Sequence, residues 1–155
     1  MVSYSKQSVN YRYNDAVSAV RILFLCIGNS CRSPMAEAIA RTLGGDRVRA
    51  YSAGLAPTGR IASDTMSTLE ELGYPTGGLA SKGLDEVPLA SIDVVVSLLG
   101  ADGLRLLPPT VGERREQWPV RDPYGDDRDV YRAVARDLEA RVRTLLEELE
   151  KEYSP

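Results

Sequence analysis

An α/β domain, doubly wound around a parallel sheet, is the fold class this sequence predicts, and three features predict it. At 155 residues the chain is long enough for one domain with its own core and short for two. Two stretches, Val20 to Leu25 and Ile92 to Leu98, are almost continuously apolar, as strands buried on both faces of a sheet must be. Segments of helical period alternate with such runs, and alternation of this kind builds parallel sheets.

The elements follow in order. Residues 1–19 are polar, show no sustained period and carry Tyr4, Tyr11 and Tyr13, so they read as a flexible extension ahead of a domain at 20–153. They hold no continuous apolar stretch of the secretory kind, which predicts a cytoplasmic, reducing location where thiols stay free. After the first strand and a loop at 26–33, Pro34 stands at a favourable first helical position. Met35, Ala38, Ile39, Thr42 and Leu43 recur at helical spacing until Gly44 and Gly45. Val48 to Ala53 reads as the second strand. Ser63 or Asp64 can cap a helix carrying Met66, Leu69 and Leu72, stopped at Gly73. Ile92 to Leu98 is the next strand, and Gln117 to Val120 a weaker last one. A final helix begins near Asp126 or Asp127, with Val130, Val134, Leu138, Val142, Leu145 and Leu149 on one stripe and a solvated charged face opposite.

Charge and composition narrow the chemistry. Lys and Arg number 19 against 22 Asp and Glu, a net charge of −3, which gives no general pull towards nucleic acid or an anionic membrane. No apolar run approaches the roughly 18 residues of a membrane-spanning helix. There is no histidine, so catalysis by a Ser-His-Asp or Cys-His arrangement is impossible, and so is a zinc site built on imidazole. Only two cysteines exist, Cys26 and Cys31. A disulfide between them closes a tiny loop and adds little stability, so they read as chemical rather than structural. Acid and base work falls to Asp, Glu, Lys, Tyr or Cys.

In doubly wound sheets ligands bind at the carboxyl ends of the strands, which is where Cys26 stands. Cys26-Ile27-Gly28-Asn29-Ser30-Cys31-Arg32-Ser33-Pro34 runs from a buried strand into a helix N-terminus. This is the pattern of an oxyanion cradle. Backbone N–H groups converge on one point, with Gly28 and Asn29 best able to adopt the unusual dihedrals. The positive end of the helix faces the same spot. Arg32 grips two oxygens of a tetrahedral dianion with its planar fork. The same field favours a thiolate nucleophile at Cys26, to which Ser33 can donate a hydrogen bond. Asp122 is a natural proton source for a departing oxygen or nitrogen, and Pro123 stiffens its loop.

Residues 24–38, FLCIGNSCRSPMAEA, closely resemble the phosphate-binding loop of the low-molecular-weight protein tyrosine phosphatase superfamily. That superfamily also holds bacterial protein-arginine phosphatases and thioredoxin-linked arsenate reductases. Three further segments carry the resemblance. Tyr51-Ser52-Ala53-Gly54 is similar to the turn that buttresses the loop through its asparagine, here Asn29. Leu79-Ala80-Ser81-Lys82 resembles the segment ahead of the third strand, and Asp122-Pro123-Tyr124 matches the motif carrying the general acid. The resemblance implies a four-stranded parallel sheet flanked by helices on both faces, with the phosphate-binding loop at the C-terminal end of the first strand. It implies Cys26, Arg32 and Asp122 as catalytic residues, with Ile27, Gly28, Asn29, Ser30, Cys31, Ser33 and Tyr124 binding substrate. No metal or cofactor is called for, since Arg32 and the loop supply the positive charge. Cys31 resembles a second loop cysteine that can form a disulfide with the nucleophile under oxidation.

The resemblance implies a cysteine-dependent phosphatase acting on phosphotyrosine-type substrates through a cysteinyl-phosphate. Its partners are then a phosphorylated protein or small phosphate ester, with phosphate, sulfate or arsenate as oxyanion ligands. The alternatives are a protein-arginine phosphatase and an arsenate reductase that uses an external thiol. The reductase branch passes electrons through a further cysteine pair after the third strand, and residues 97–104, SLLGADGL, hold none. Residues 78–86 and 113–123 nevertheless read more like reductases. Ser30 stands where tyrosine-specific members usually have isoleucine, and Gly125 where many have a second aromatic residue.

Overall fold

The computed structural model describes residues 19–153. The expectation for the extension falls almost wholly on residues 1–18 and lies outside the described residues. Eight elements make the framework: β1 (Val20–Cys26), α1 (Arg32–Gly44), β2 (Val48–Gly54), α2 (Ser63–Glu71), β3 (Val94–Ser97), α3 (Ala101–Arg105), β4 (Arg114–Gln117) and α4 (Arg128–Tyr153). The four strands form one parallel sheet in the order β2-β1-β3-β4. β1 is thus central, and its alternate residues feed two separate cores.

Ile22, Phe24 and Cys26 point to one face, where Met35 and Ile39 of α1, Leu69 of α2, and Val134, Leu138 and Val142 of α4 pack on them. Leu23 and Leu25 point to the other, against Val95, Leu107 and Val111. The long helices therefore share one face. The five-residue α3 and two short 3-10 turns, Leu84–Glu86 and Leu89–Ser91, lie along the thinner second core. Burial of both faces is why β1 reads as an unbroken apolar run.

Four local expectations are corrected. The last strand is Arg114–Gln117, not Gln117 to Val120. As an edge strand it is half-buried and charged, with Arg114 ion-paired to Glu116, Glu148 and Glu152, so its sequence hides it. Trp118 and Val120 are buried but lie past the strand. α1 begins at Arg32, which puts Pro34 third rather than first, still within the turn whose N–H groups need no helical partner. Neither Ser63 nor Asp64 caps α2; Ala62 occupies that place with no side-chain bond. The charged face of α4 is more than solvated surface: Arg132 forks onto Glu71 of α2, and Glu139 accepts a hydrogen bond from Tyr74. At its start, Asp127 accepts the Val130 N–H at 3.2 Å, as a capping residue does.

Among the described residues no helix is long and apolar enough to cross a membrane.

Candidate active site

The site lies in the loop between β1 and α1, at the carboxyl edge of the sheet. Its carbonyls are fastened outwards. Cys26 O accepts from Leu55 N at 3.1 Å and Ile27 O from Ala56 N at 2.9 Å; Gly28 O accepts from Thr58 N and Ser81 Oγ, both at 3.0 Å. Ser30 O accepts from Ala62 N at 3.1 Å and Thr65 Oγ1 at 2.9 Å. In a trans peptide the following N–H points the opposite way. The amides of Ile27, Gly28, Asn29 and Cys31 therefore face inwards, and none donates to a backbone carbonyl among the described residues. Such a ring of N–H groups is an anion-binding concavity.

Asn29 is the hub. It is fully buried and the only non-glycine described residue with positive φ, at 48°. Gly28 does not use a positive φ; its missing Cβ lets the 55–61 segment approach, since a Cβ there would lie 3.1 Å from Thr58 Cγ2. Gly54 matters for the same kind of reason: a Cβ would sit 2.6 Å from Ile27 O and 2.8 Å from Asn29 N. The buttress implied for Ser52-Ala53-Gly54 is present in that contact and in the Asn29 side chain.

The hydrogen bonds of Asn29 also fix a polarity. Lys82 N donates to Asn29 Oδ1 at 2.8 Å, which sets the amide so that Nδ2 donates to Ser33 Oγ at 2.8 Å and Ser52 Oγ at 2.9 Å. Each hydroxyl then has its own proton for its other neighbour. Ser52 donates to Glu37, and the Ser33 hydroxyl lies 2.8 Å from Cys26 Sγ, where its proton is available to a thiolate. Glu37 is buried in α1 with Arg41 and Lys82 as its cations. Nothing in the loop motif singled it out, although an acid between Met35-Ala36 and Ala38-Ile39-Ala40 is a visible break in an apolar stretch. Thr58 and Thr65 were likewise missed, because their roles depend on segments brought together only by folding.

Arg32 is buried at the far side. Its Nη1 donates to Leu98 O at 2.9 Å and Val120 O at 3.4 Å, and Nη2 lies 3.6 Å from Asp122 Oδ2. Two carbonyls thus aim the fork, and one nitrogen faces the carboxylate. Asp122 is half exposed, with Oδ1 accepting the Tyr124 N–H at 3.1 Å. The turn behind it closes with Asp126 N donating to Pro123 O at 2.8 Å and needs Gly125 at φ 84°, which explains glycine in place of a second aromatic. Asp126 pairs with Arg121, and Asp127 caps α4.

These pieces enclose a pocket of about 180 Å³ lined by Cys26, Ile27, Gly28, Ser30, Cys31, Arg32, Thr58, Asp122 and Tyr124. Of the expected site residues only Asn29 and Ser33 do not line it; both stand behind the loop. Cys26, 3% exposed, and Cys31, 4% exposed, are free thiols. Cys31 Sγ lies 3.5 Å from Tyr131 Oη of α4. That phenol is held above its ordinary range by burial, and further by Cys31 and by the charges of Asp64 and Asp122.

Comparison with known proteins agrees with this geometry. A Synechocystis glutaredoxin arsenate reductase is 35% identical over 127 residues, spanning 81% of this chain and 95% of that protein. A solved arsenate reductase in the phosphate binding state is 34% identical with a TM-score of 0.75, covering 83% of this chain and 98% of the other. The YwlE arginine phosphatase from Geobacillus stearothermophilus superposes with a TM-score of 0.75 at 26% identity, over 86% and 94% of the two chains. The model of the low molecular weight phosphotyrosine protein phosphatase family matches residues 21–154, and the chain belongs to that family.

Proposed function

We propose that this protein is an arsenate reductase that draws its electrons from an external thiol in a reducing, cytoplasmic compartment. The observation that carries the reading is the shape of the pocket. Its floor is a cup of inward amides and Arg32, suited to a tetrahedral oxyanion, but its walls do not grip a ring. Tyr124, 67% exposed, is the one aromatic residue in its lining, with Ile27 and Thr58 among the others, so a phenol has a single aromatic surface to stack on. The relatives named arsenate reductases support the same choice.

In this reading residues 20–153 are the working domain. The amides of Ile27, Gly28, Asn29, Ser30 and Cys31 hold the oxyanion, together with Arg32. Cys26 attacks arsenic with Ser33 donating to its sulfur, and Asp122 protonates the departing oxygen as water. The product is a Cys26–arsenic(V) thioester-like adduct. Reduction to arsenite takes two electrons, supplied as two thiols become a disulfide. With only two cysteines in the chain, thiols from outside must restore the reduced enzyme after each turnover.

A phosphomonoesterase acting on phosphotyrosine or phosphoarginine is the second reading. Asp122, 3.6 Å from Arg32 and at the pocket mouth, favours it. The same loop serves both reactions, since phosphate and arsenate share shape and charge.

The test compares two products. Arsenite formation from arsenate is measured with glutathione and a glutaredoxin. Phosphate release is measured from matched phosphotyrosine and phosphoarginine peptides with EDTA present, and Cys26→Ser is run in both. Thiol-dependent arsenite production, lost in Cys26→Ser, is the expected result. Rapid phosphate release with no arsenite under any thiol overturns the reductase reading and selects the phosphatase.

A further inference from the structure

We propose that Cys31 is the resolving thiol of this site, attacking the sulfur of the Cys26–arsenic(V) adduct so that arsenite leaves before any external thiol enters. The proposal rests on the arsenate reductase reading above. Its starting point is arithmetic: the chain has two cysteines, so any disulfide formed within it joins Cys26 to Cys31. Both are free, and both line the same pocket. The segment after β3 offers no thiol, with Leu99 and Leu106 among its residues.

Access points the same way. Cys26 is 3% exposed and lines the pocket, so an oxyanion bonded to its sulfur would cover that remaining face. An external thiol has to reach the sulfur past the arsenic it must displace. Cys31 is already inside, five residues along the same loop.

The surroundings of Cys31 suit a sulfur that must give up its proton and attack as a thiolate. It occupies the cap position of α1, at the positive end of that helix. Tyr131 Oη stands 3.5 Å away, and the conditions that hold this buried phenol protonated keep it a hydrogen-bond donor. Ser30 Oγ is a further neighbour at 3.9 Å. Tyr131 touches neither substrate nor Cys26 in this scheme and is a positioning residue for Cys31.

The step balances. Cys31 gives its proton to an oxygen of the departing arsenite, and its sulfur bonds to Cys26 Sγ. The Cys26–arsenic bond breaks with its electron pair passing to arsenic, which goes from As(V) to As(III). Two cysteine thiols become one disulfide, which an external dithiol or two molecules of glutathione then reduce.

Single turnover tests this with the unmutated protein. The chain is fully reduced, separated from all small thiols and mixed with arsenate. About one arsenite per chain is expected, with loss of both titratable thiols and a Cys26–Cys31 disulfide in the peptide mass map. Cys31→Ser is expected to release none in this format, and Tyr131→Phe to slow the release roughly tenfold, as for a lost bond to a charged acceptor. Melting followed by circular dichroism checks that both variants fold; should Cys31→Ser fail to fold, the unmutated single turnover and its disulfide map decide alone. Arsenite release by Cys31→Ser without external thiol overturns the assignment. So does a silent unmutated protein that glutathione drives as fast in Cys31→Ser as in wild type, an outcome that leaves the reductase reading standing. No arsenite with any thiol overturns both.

Discussion

The two halves of the pocket are built differently. On the β1–α1 side several fastenings are multiple: Gly28 O and Ser30 O each accept two hydrogen bonds, and Asn29 makes three through its side chain. Asn29, Ser33 and Glu37 are buried there. On the opposite side Asp122 is half exposed and Tyr124 67% exposed, held by a glycine-dependent turn and an ion pair across to Arg32. In the proposed reading the buried half holds the anion and the nucleophile, a task that tolerates no misplacement. The exposed half meets whatever is attached to that anion. The difference teaches where chemistry and specificity separate in this chain, and it can be attacked from either side.

The largest effect is expected at the hub. Asn29→Ala removes three hydrogen bonds, leaves the Lys82 N–H without its acceptor and places an alanine at φ 48°. Stability should fall by about 3 kcal/mol or more, seen as a lower urea midpoint, and oxyanion binding should be lost along with turnover. Retained phosphate binding by calorimetry would show that the loop holds its form without the hub.

Asp122→Asn should act on the other half alone. Hydrolysis of a phosphate ester with a poor leaving group is expected to drop by about 10²-fold, the low end for a general acid. An ester with a good leaving group should lose much less, and the melting temperature should stay put. Equal losses for both esters would remove Asp122 from proton transfer.

How far the sequence discloses this division follows from the same physics. Cys26, Arg32 and the loop between them were legible because the motif is local: a buried strand, Gly and Asn, then Ser-Pro opening a helix. The stripe on α4 was legible because its apolar residues recur at helical spacing on the one face that enters the core. β4 was not, since an edge strand needs pairing on one side only and here is charged, with Arg114 ion-paired to α4. The carbonyls of Leu98 and Val120 that aim Arg32 were not either, because a backbone acceptor leaves no trace in residue identity. Glu37 falls between: its sequence signal was present and Arg41 stands one turn on, but its other partners, Ser52 and Lys82, come from β2 and the 79–82 segment.

Gly54→Ala tests how tightly the buried half is set. The new methyl would lie 2.6 Å from Ile27 O and 2.8 Å from Asn29 N, both backbone atoms with no rotamer to escape into. The loop must shift. A cost of about 1–3 kcal/mol is expected, as for overpacking elsewhere, with turnover down about tenfold, because a displacement under 1 Å already misaligns a nucleophile. Unchanged melting and turnover would mean that β2 yields instead of the loop.

Tyr124→Ala should have the smallest effect, and it is the sharpest probe of what the exposed half does. The ring is 67% exposed, so its loss costs the fold little, and only its N–H, which alanine keeps, contacts Asp122. Removing one stacking surface from an aryl or guanidinium substrate should raise KM by roughly threefold to tenfold, the worth of one partly exposed ring contact. Inorganic arsenate has nothing to stack, so its KM should not move. A shared KM increase for arsenate and aryl phosphate would place Tyr124 among the groups that hold the anion itself, and the separation of the two halves would fail at that residue.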